Sequence, residues 1–237
     1  MALIYNATFD SQTRILSLLD KAGNVISSCE VPSKSKGNEL TLTATADNSS
    51  VKLTKIGTLD NTFEVDKGNG WEGYAFGTVI PLNAGESCRW RCKSHPTTQS
   101  DQNYVQFVMT GKIEASGNVN SMLSIGFENL TSLSGYDYAF KMLFQGCTSL
   151  TKAPALPATT LAPSCYNAMF DGCTSLNEVR ISATTTATNA LFFWLTNVSA
   201  PGDFYCNPNA TIFPTNSESG IPYGWVRHAL ADYPVTP

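Results

Sequence analysis

The sequence predicts a mixed, β-rich fold, in which sandwich-like β modules precede a short capped α/β solenoid. The first observation is a repeat: Phe144–Leu150 (FQGCTSL) recurs as Phe170–Leu176 (FDGCTSL), with six of seven letters identical at a spacing of 26. A fixed period in the twenties is typical of solenoids whose units stack on one another. The second observation is the period-two alternation of apolar and polar residues in segments before residue 110, which is typical of half-buried strands.

Composition excludes several classes of function. The chain has 237 residues, of which 42% are hydrophobic and only 14% charged, so the surface must be rich in Ser, Thr and Asn. A net charge of −4 without a basic run argues against a nucleic-acid partner. No apolar stretch approaches 18 residues, so no membrane-spanning helix is expected. The N-terminus has no basic region followed by an apolar run, which predicts no secretory signal. The chain is then expected to be cytosolic, to be assembled into a particle in the cytosol, or to lack a leader that was removed.

The N-terminal half is predicted to consist of strands. Residues 13–31 are expected to form a β-hairpin with a turn at 20–24, closed by Pro32. Further strands are predicted at 41–46, 51–56, 63–65, 71–74, 78–82, 88–92 and 104–109. We divide the chain into a β docking module (1–45), a β-rich domain (46–118) and a solenoid with a C-terminal cap (119–237).

The cysteines are expected to be buried, reduced thiols. There are seven, at positions 29, 88, 92, 147, 165, 173 and 206, and synthesis in a reducing compartment disfavours disulfides. In the strand that contains Cys88, Trp90 and Cys92, alternation places all three on one face. A metal could bind such a pair, but no second Cys or His pair lies nearby at zinc spacing. We therefore predict no metal and no cofactor.

Each repeat is predicted to contain a short helix followed by a short strand. Apolar residues at i, i+4 and i+5 would lie on one face of the helix, and Gly146 and Gly172 would provide left-handed C-caps. A degenerate unit at 122–133 and the segment 204–233 are expected to cover the two ends. The predicted repeat core is Leu143, Phe144, Cys147, Leu150, Met169, Phe170, Cys173 and Leu176.

Two aromatic residues are candidates for ligand binding. Trp71 and Tyr74 flank a glycine-rich turn and could stack on a sugar ring. The alternative is that they fill the core of the β domain, as aromatic residues usually do.

The sequence shows no catalytic constellation. His95 and His228 are the only histidines, and neither is accompanied by a recognisable nucleophile motif. We therefore expect a protein that is not an enzyme, with a carbohydrate-active enzyme as a remote alternative.

The repeats resemble a known family. Residues 144–170, with the flanking segments 109–123, 194–209 and 220–225, are similar to the BspA-like leucine-rich repeat family, which is common in surface proteins of gut anaerobic bacteria. The resemblance covers about residues 60–228. Residues 1–45 look instead like a short β module at the start of some phage virion proteins. Members with a bacterial surface role usually carry an export signal and many repeats, whereas this chain has no recognisable leader and two strong repeats.

The resemblance leads to two expectations about function. The first is a non-enzymatic bacteriophage virion protein, a head or tail fibre or decoration protein on the virion surface. Its N-terminal module would contact other virion proteins, and its C-terminal part would attach to a host-surface glycan or protein. The second is a bacterial cell-surface adhesin. We expect a homo-oligomer, with neither a nucleic-acid nor a membrane partner.

Overall fold

The structure is a computed structural model that describes residues 6–10, 15–30, 37–94, 99–216 and 218–232. Contacts divide the chain into two units, with the boundary after Asn38. The predicted division placed boundaries near residues 45 and 118 instead. The structure differs because strand Leu40–Ala44 pairs with strands of the second unit, and because residues 39–237 form one compact body.

The first unit contains a three-stranded antiparallel sheet. Its strands are β1 (Asn6–Asp10), β2 (Ile15–Leu19) and β3 (Val25–Glu30), in that spatial order. The antiparallel pairing of β2 with β3 confirms the predicted hairpin, although residues 13, 14, 31 and 32 lie outside the described residues. The Asp20 carboxylate closes the turn by accepting hydrogen bonds from the backbone amides of Ala22 and Asn24, both at 2.8 Å.

The second unit begins with two sheets that share one core. The strands are β4 (Leu40–Ala44), β5 (Ser49–Ile56), β6 (Thr62–Asp66), β7 (Trp71–Tyr74), β8 (Ile80–Leu82), β9 (Ser87–Ser94), β10 (Tyr104–Thr110), β11 (Ile113–Ser116) and β12 (Leu150–Lys152). One sheet has the order β12-β11-β4-β9-β6-β7 and the other β10-β5-β8. Side chains of both sheets meet where the Trp90 ring lies 5.1 Å from that of Phe107. These strands confirm the predicted β-rich fold.

The predicted helices of the repeats are wrong. Residues 138–147, 164–173 and 189–198, here called the first, second and third turn segments, consist of consecutive turns. The backbone has positive φ at every fourth residue: Tyr138, Met142 and Gly146; Ser164, Ala168 and Gly172; Asn189, Phe193 and Asn197. A left-handed residue at that interval interrupts an α-helix. The apolar spacing that suggests a helix arises here from the four-residue period of the turns.

Backbone hydrogen bonds join the turn segments into a ladder. Within a segment, amides such as that of Leu143 donate to the carbonyl three residues earlier. The intervening amides donate to the next segment. In the first segment these are the amides of residues 138, 140, 142, 144 and 146, which bond to the carbonyls of residues 163, 165, 167, 169 and 171. In the second they are the amides of residues 164, 166, 168, 170 and 172, which bond to the carbonyls of residues 188, 190, 192, 194 and 196.

Side chains beneath this ladder form a regular column. The rings of Phe107, Phe144 and Phe170 stack in sequence at 5.3 and 5.5 Å. Beside them the Cys147 thiol donates to the Phe107 carbonyl, and the Cys173 thiol donates to the Phe144 carbonyl at 3.0 Å. The recurring Phe and Cys of the sequence repeat therefore pack against the preceding layer, and strand β10 serves as the layer before the first turn segment.

Parallel strands stack on the other side of the layers. They continue from β11 and β12 to β13 (Glu178–Ile181), β14 (Gly202–Cys206) and β15 (Trp225–Ala229). The segment 204–233, predicted as the C-terminal cap, contains most of β14 and all of β15. Gly202 is required in β14, because a Cβ atom there would lie 2.4 Å from the Trp225 ring. The degenerate repeat predicted at 122–133 contains the 3-10 helix Phe127–Asn129, and a second 3-10 helix, Val119–Met122, leads into it.

We expect the Phe170→Ala variant to lose about 3 to 5 kcal/mol of unfolding free energy, because it removes a fully buried ring from the column. Urea unfolding followed by circular dichroism measures this loss. The control is Phe192→Ala, whose ring is exposed, and which should change stability by less than about 1 kcal/mol. Equal losses in the two variants would contradict the stacked column.

The hydroxyls of Tyr166 and Tyr74 allow a second comparison. Tyr166 is fully buried, and its hydroxyl has no hydrogen-bond partner among the described residues. Tyr166→Phe should therefore raise stability by about 1 kcal/mol, since an unpaired buried polar group costs about 1 to 3 kcal/mol. The Tyr74 hydroxyl accepts from the Leu53 amide at 2.9 Å and donates to the Thr78 carbonyl at 2.6 Å. Tyr74→Phe should lower stability by about 1 kcal/mol in the same urea assay. A less stable Tyr166→Phe variant or a more stable Tyr74→Phe variant would contradict this assignment.

Candidate functional site

The two aromatic residues proposed for sugar stacking lie in different surroundings. Tyr74 is partly buried against the core, and its ring lies edge-on to that of Trp90 at 4.7 Å. Trp71 lies on β7 with its ring 4.1 Å from the Arg91 guanidinium carbon and 5.2 Å from that of Arg89. Tyr74 thus packs in the β domain, whereas Trp71 stacks on arginine.

Charged residues surround Trp71 in a self-neutralising arrangement. Arg89 pairs with Asp66 and with Glu39, and Arg91 pairs with Glu64 at 2.6 Å. Hydrogen bonds from Arg91 lower the pKa of Glu64. Burial opposes ionisation of Asp66, but hydrogen bonds from Arg89 and from two glycine amides outweigh burial and lower its pKa. Arg89 and Arg91 thus each have a carboxylate partner, and neither guanidinium beside Trp71 is left unpaired.

The cysteines form no reactive or metal-binding site in the part of the chain that the structure describes. Cys88, Trp90 and Cys92 are buried on one face of β9, as predicted, while Arg89 and Arg91 lie on the other. Burial raises the pKa of the Cys88, Cys92, Cys147 and Cys165 thiols to about 12. The six described cysteines are all free, and no group of described side chains could hold a metal ion.

The histidines do not form a catalytic group with a nucleophile among the described residues. His228 lies on β15, and its Nε2 is 2.7 Å from an Asp203 carboxylate oxygen on β14. The Tyr205 ring stacks on the imidazole at 4.8 Å. His95 lies outside the described residues.

All eight residues of the predicted repeat core are buried. Leu143, Phe144, Cys147, Met169, Phe170 and Cys173 belong to the turn segments, Leu150 begins β12, and Leu176 precedes β13. They lie in the core that the two sheets share with the layers.

A different aromatic group is exposed at the C-terminal end of the layers. The side chains of Phe192 and Phe193, in the third turn segment, are 37% and 40% exposed, and their rings lie 3.9 Å apart. Tyr223, between β14 and β15, is 68% exposed. Exposed aromatic rings cost solvation free energy, and in a folded protein such clusters mark surfaces that bind other molecules.

Two cavities accompany these rings. The larger, of about 240 Å³, is lined by Thr186, Ala187, Asn189, Ala190, Leu191, Phe192, Ile212 and Ser219. The smaller, of about 140 Å³, is lined by Leu195, Thr196, Asn197, Val198, Ser199, Ala200, Pro222 and Tyr223. Hydroxyl and amide groups alternate with apolar groups in both, and none of these lining residues carries a charge. We take the exposed rings and the two cavities together as the candidate site, called the terminal face.

The sequence contains a signal for this site, but it becomes visible only when the third turn segment is aligned with the second. Aligned by their positive-φ positions, Phe192 and Phe193 correspond to Asn167 and Ala168 in the second turn segment. The third segment therefore places two phenylalanines where the preceding repeat has a polar and a small residue. That comparison needs the correct register of a degenerate repeat.

We expect the charged face around Trp71 to make stability depend on pH. The pKa values of Glu64 and Asp66 are lowered in the folded protein, so their contribution is complete above the unfolded-state values near 4 and is lost as pH falls below them. Asp66→Asn should cost about 1 to 3 kcal/mol at pH 7 and much less at pH 3. Urea midpoints at both pH values measure this, with the exposed Asp60→Asn as the control. A pH-independent cost would contradict the ionic role.

Comparisons with known proteins identify no relative. No protein-family model matches the chain, and no curated protein or solved structure matches it. Within the described residues, no helix has the length and apolar character needed to cross a bilayer.

Proposed function

We propose that this protein is a non-enzymatic structural and adhesion protein of a phage virion, in a head or tail fibre or a decoration complex. In this proposal a β-rich part carries a short capped leucine-rich-repeat solenoid, and the terminal face attaches to a glycan or protein of the host surface. The observation that carries the proposal is the exposure of Phe192, Phe193 and Tyr223 beside two cavities at one end of the layers.

The repeat geometry supports the solenoid in this proposal. Each layer combines a turn segment with a parallel strand and bonds to its neighbour through the backbone. Such units cannot bury their apolar side alone and gain stability by stacking. A stack also exposes its last layer, which makes that layer a natural place for recognition.

The thiols support assembly in the cytoplasm of an infected cell. Six free, buried cysteines suit folding in a reducing compartment, whereas exported proteins more often pair their cysteines. The alternative, a bacterial cell-surface adhesin, would use the same terminal face after export.

The first unit is the proposed attachment point to other virion proteins and to further copies of this chain. Its outer strands β1 and β3 each have a neighbour on one side only within the sheet. Unpaired strand edges are natural sites for strand addition by a partner. Val25 and Ile26 are also exposed on β3, which adds apolar surface to this edge.

We expect the tagged chain to co-sediment with intact, infectious particles on a density gradient. Particles that carry Phe192→Ala together with Tyr223→Ala should retain the chain and adsorb to host cells less well, because the exposed rings of the terminal face are lost. Particles that carry Val108→Ala, a change at an exposed apolar residue elsewhere, are the control. Absence of the chain from washed particles would overturn the virion proposal, and display on intact bacteria would establish the adhesin instead.

A further inference from the structure

The ladder of the turn segments has a direction, and its last layer ends in hydrogen-bond donors. The amides of the first segment bond to the second, and those of the second bond to the third. The corresponding amides of the third segment belong to residues 189, 191, 193, 195 and 197, which repeat the positive-φ pattern of the earlier segments. These amides therefore point away from the second segment, toward the terminal face.

Most of these donors are unpaired. The Phe193 amide donates to the Glu218 carbonyl at 2.5 Å. The amides of Asn189, Leu191, Leu195 and Asn197 have no hydrogen-bond partner in the described part of the chain. Leu191 and Leu195 are buried residues, whereas Asn189 and Asn197 are exposed. An unpaired backbone donor costs the most free energy where water cannot reach it, so the amides of Leu191 and Leu195 have the greatest need of an acceptor.

The opposite end of the ladder shows how the protein satisfies such groups when no ligand is needed. There the carbonyls of the first segment face the β sheets. The Gln99 side chain donates to the Ala139 carbonyl at 2.6 Å, the Phe107 amide to the Leu143 carbonyl at 2.7 Å, and the Gln106 side chain to the Gln145 carbonyl at 2.9 Å. Three carbonyls at this end of the ladder are therefore paired with protein donors, whereas at the other end one of the five amides has a partner among the described residues.

The residues with unpaired amides line the two cavities. Asn189 and Leu191 line the larger cavity, and Leu195 and Asn197 line the smaller one. The Glu218 carbonyl accepts from the Phe193 amide, the third of the five amides of this segment. The chain around Glu218 therefore lies where a complete further layer would have to be. What remains is two separate recesses, each with a pair of backbone donors and an apolar wall. The ligand that fits is one with small, separate oxygen acceptors.

We propose that the larger cavity binds the acetamido group of an N-acetylhexosamine residue, a ligand class that rests on the proposed attachment function. The acetamido oxygen is an amide carbonyl, the same acceptor that completes the ladder in the inner layers. Ala187, Ala190 and Ile212 give the acetamido methyl an apolar wall. This cavity, of about 240 Å³, is the larger of the two recesses and the one we assign to the sugar.

The surrounding side chains favour a neutral sugar over an acidic one. No lysine or arginine lines either cavity, and the chain carries a net charge of −4. A sugar carboxylate or sulfate would be desolvated there without a charged partner, which is costly. Phe192 lies at the cavity wall and can stack on the apolar face of the sugar, while Thr186 and Ser219 can bond to its hydroxyls.

Backbone amide spectra of the full-length protein test this proposal directly. N-acetylglucosamine and N-acetylgalactosamine should shift the amide resonances of Asn189 and Leu191 and slow their hydrogen exchange. The paired amides of Tyr138 and Phe140, which bond to the second turn segment and to no residue that lines the cavity, should not move. Glucose, galactose and glucuronic acid, which lack the acetamido group, should have little effect. An equal or larger response to glucuronic acid, or shifts that avoid Asn189 and Leu191, would overturn the proposal.

Two variants localise the binding. Ala187→Trp should fill the larger cavity and abolish the shifts, whereas Ala84→Trp, at an exposed turn of the same unit, should leave them intact. Phe192→Ala should weaken binding by up to about tenfold. Unchanged binding by Ala187→Trp, in a variant whose spectrum shows that it is folded, would overturn the proposal.

Polymers distinguish the source of the sugar and separate this proposal from the attachment function. Peptidoglycan sacculi and mucin both display N-acetylhexosamines, and binding to one of them that free N-acetylglucosamine inhibits identifies the source. If the protein attaches to host cells and neither N-acetylhexosamine inhibits attachment, this inference fails and the attachment function stands. If it attaches to no host surface at all, the attachment function fails as well.

Discussion

The backbone ladder between turn segments is the interaction on which the second half of the molecule depends. It requires left-handed backbone at every fourth residue, including Tyr138, Met142 and Ala168, at a cost of about 1 to 2 kcal/mol for each non-glycine residue. The hydrogen bonds between layers and the stacked rings of Phe107, Phe144 and Phe170 offset that cost. The conformation is therefore stable only in a stack, because a single layer would have the strain without the partners.

This dependence explains which residues recur in the sequence. Gly146 and Gly172 occupy the last positive-φ position of their segments, and Asn197, another residue type that tolerates this region, occupies it in the third. The Cys147 and Cys173 side chains are small enough to lie between layers and donate to a carbonyl of the layer before. Their thiols act as buried hydrogen-bond donors, which is why a repeated cysteine here needs no redox or metal chemistry.

The sequence predicts the stacking and the strands better than it predicts the local backbone. The 26-residue period and the alternation in residues 51–56 and 104–109 identify stacked units and strands that the structure contains. The helices were mispredicted because Ala139, Leu143 and Phe144 have helical spacing, while no propensity argument places Met142 at positive φ. Exposure was equally hard to predict, since whether Trp71 or Phe192 faces solvent depends on neighbouring strands and layers that are distant in sequence.

Because the hydrogen bonds between turn segments all run in one direction, the ladder has carbonyl acceptors at its first layer and amide donors at its last. At the N-terminal end the carbonyls meet side-chain and backbone donors from the β sheets, so that end is joined to a larger core. At the C-terminal end, within the described part of the chain, only the Glu218 carbonyl accepts from these amides of the third turn segment. On the other side of the same layers, by contrast, β15 pairs along β14 as a further parallel strand. The unpaired donors thus follow from the end of the stack, and they lie at the face where we propose that a ligand binds.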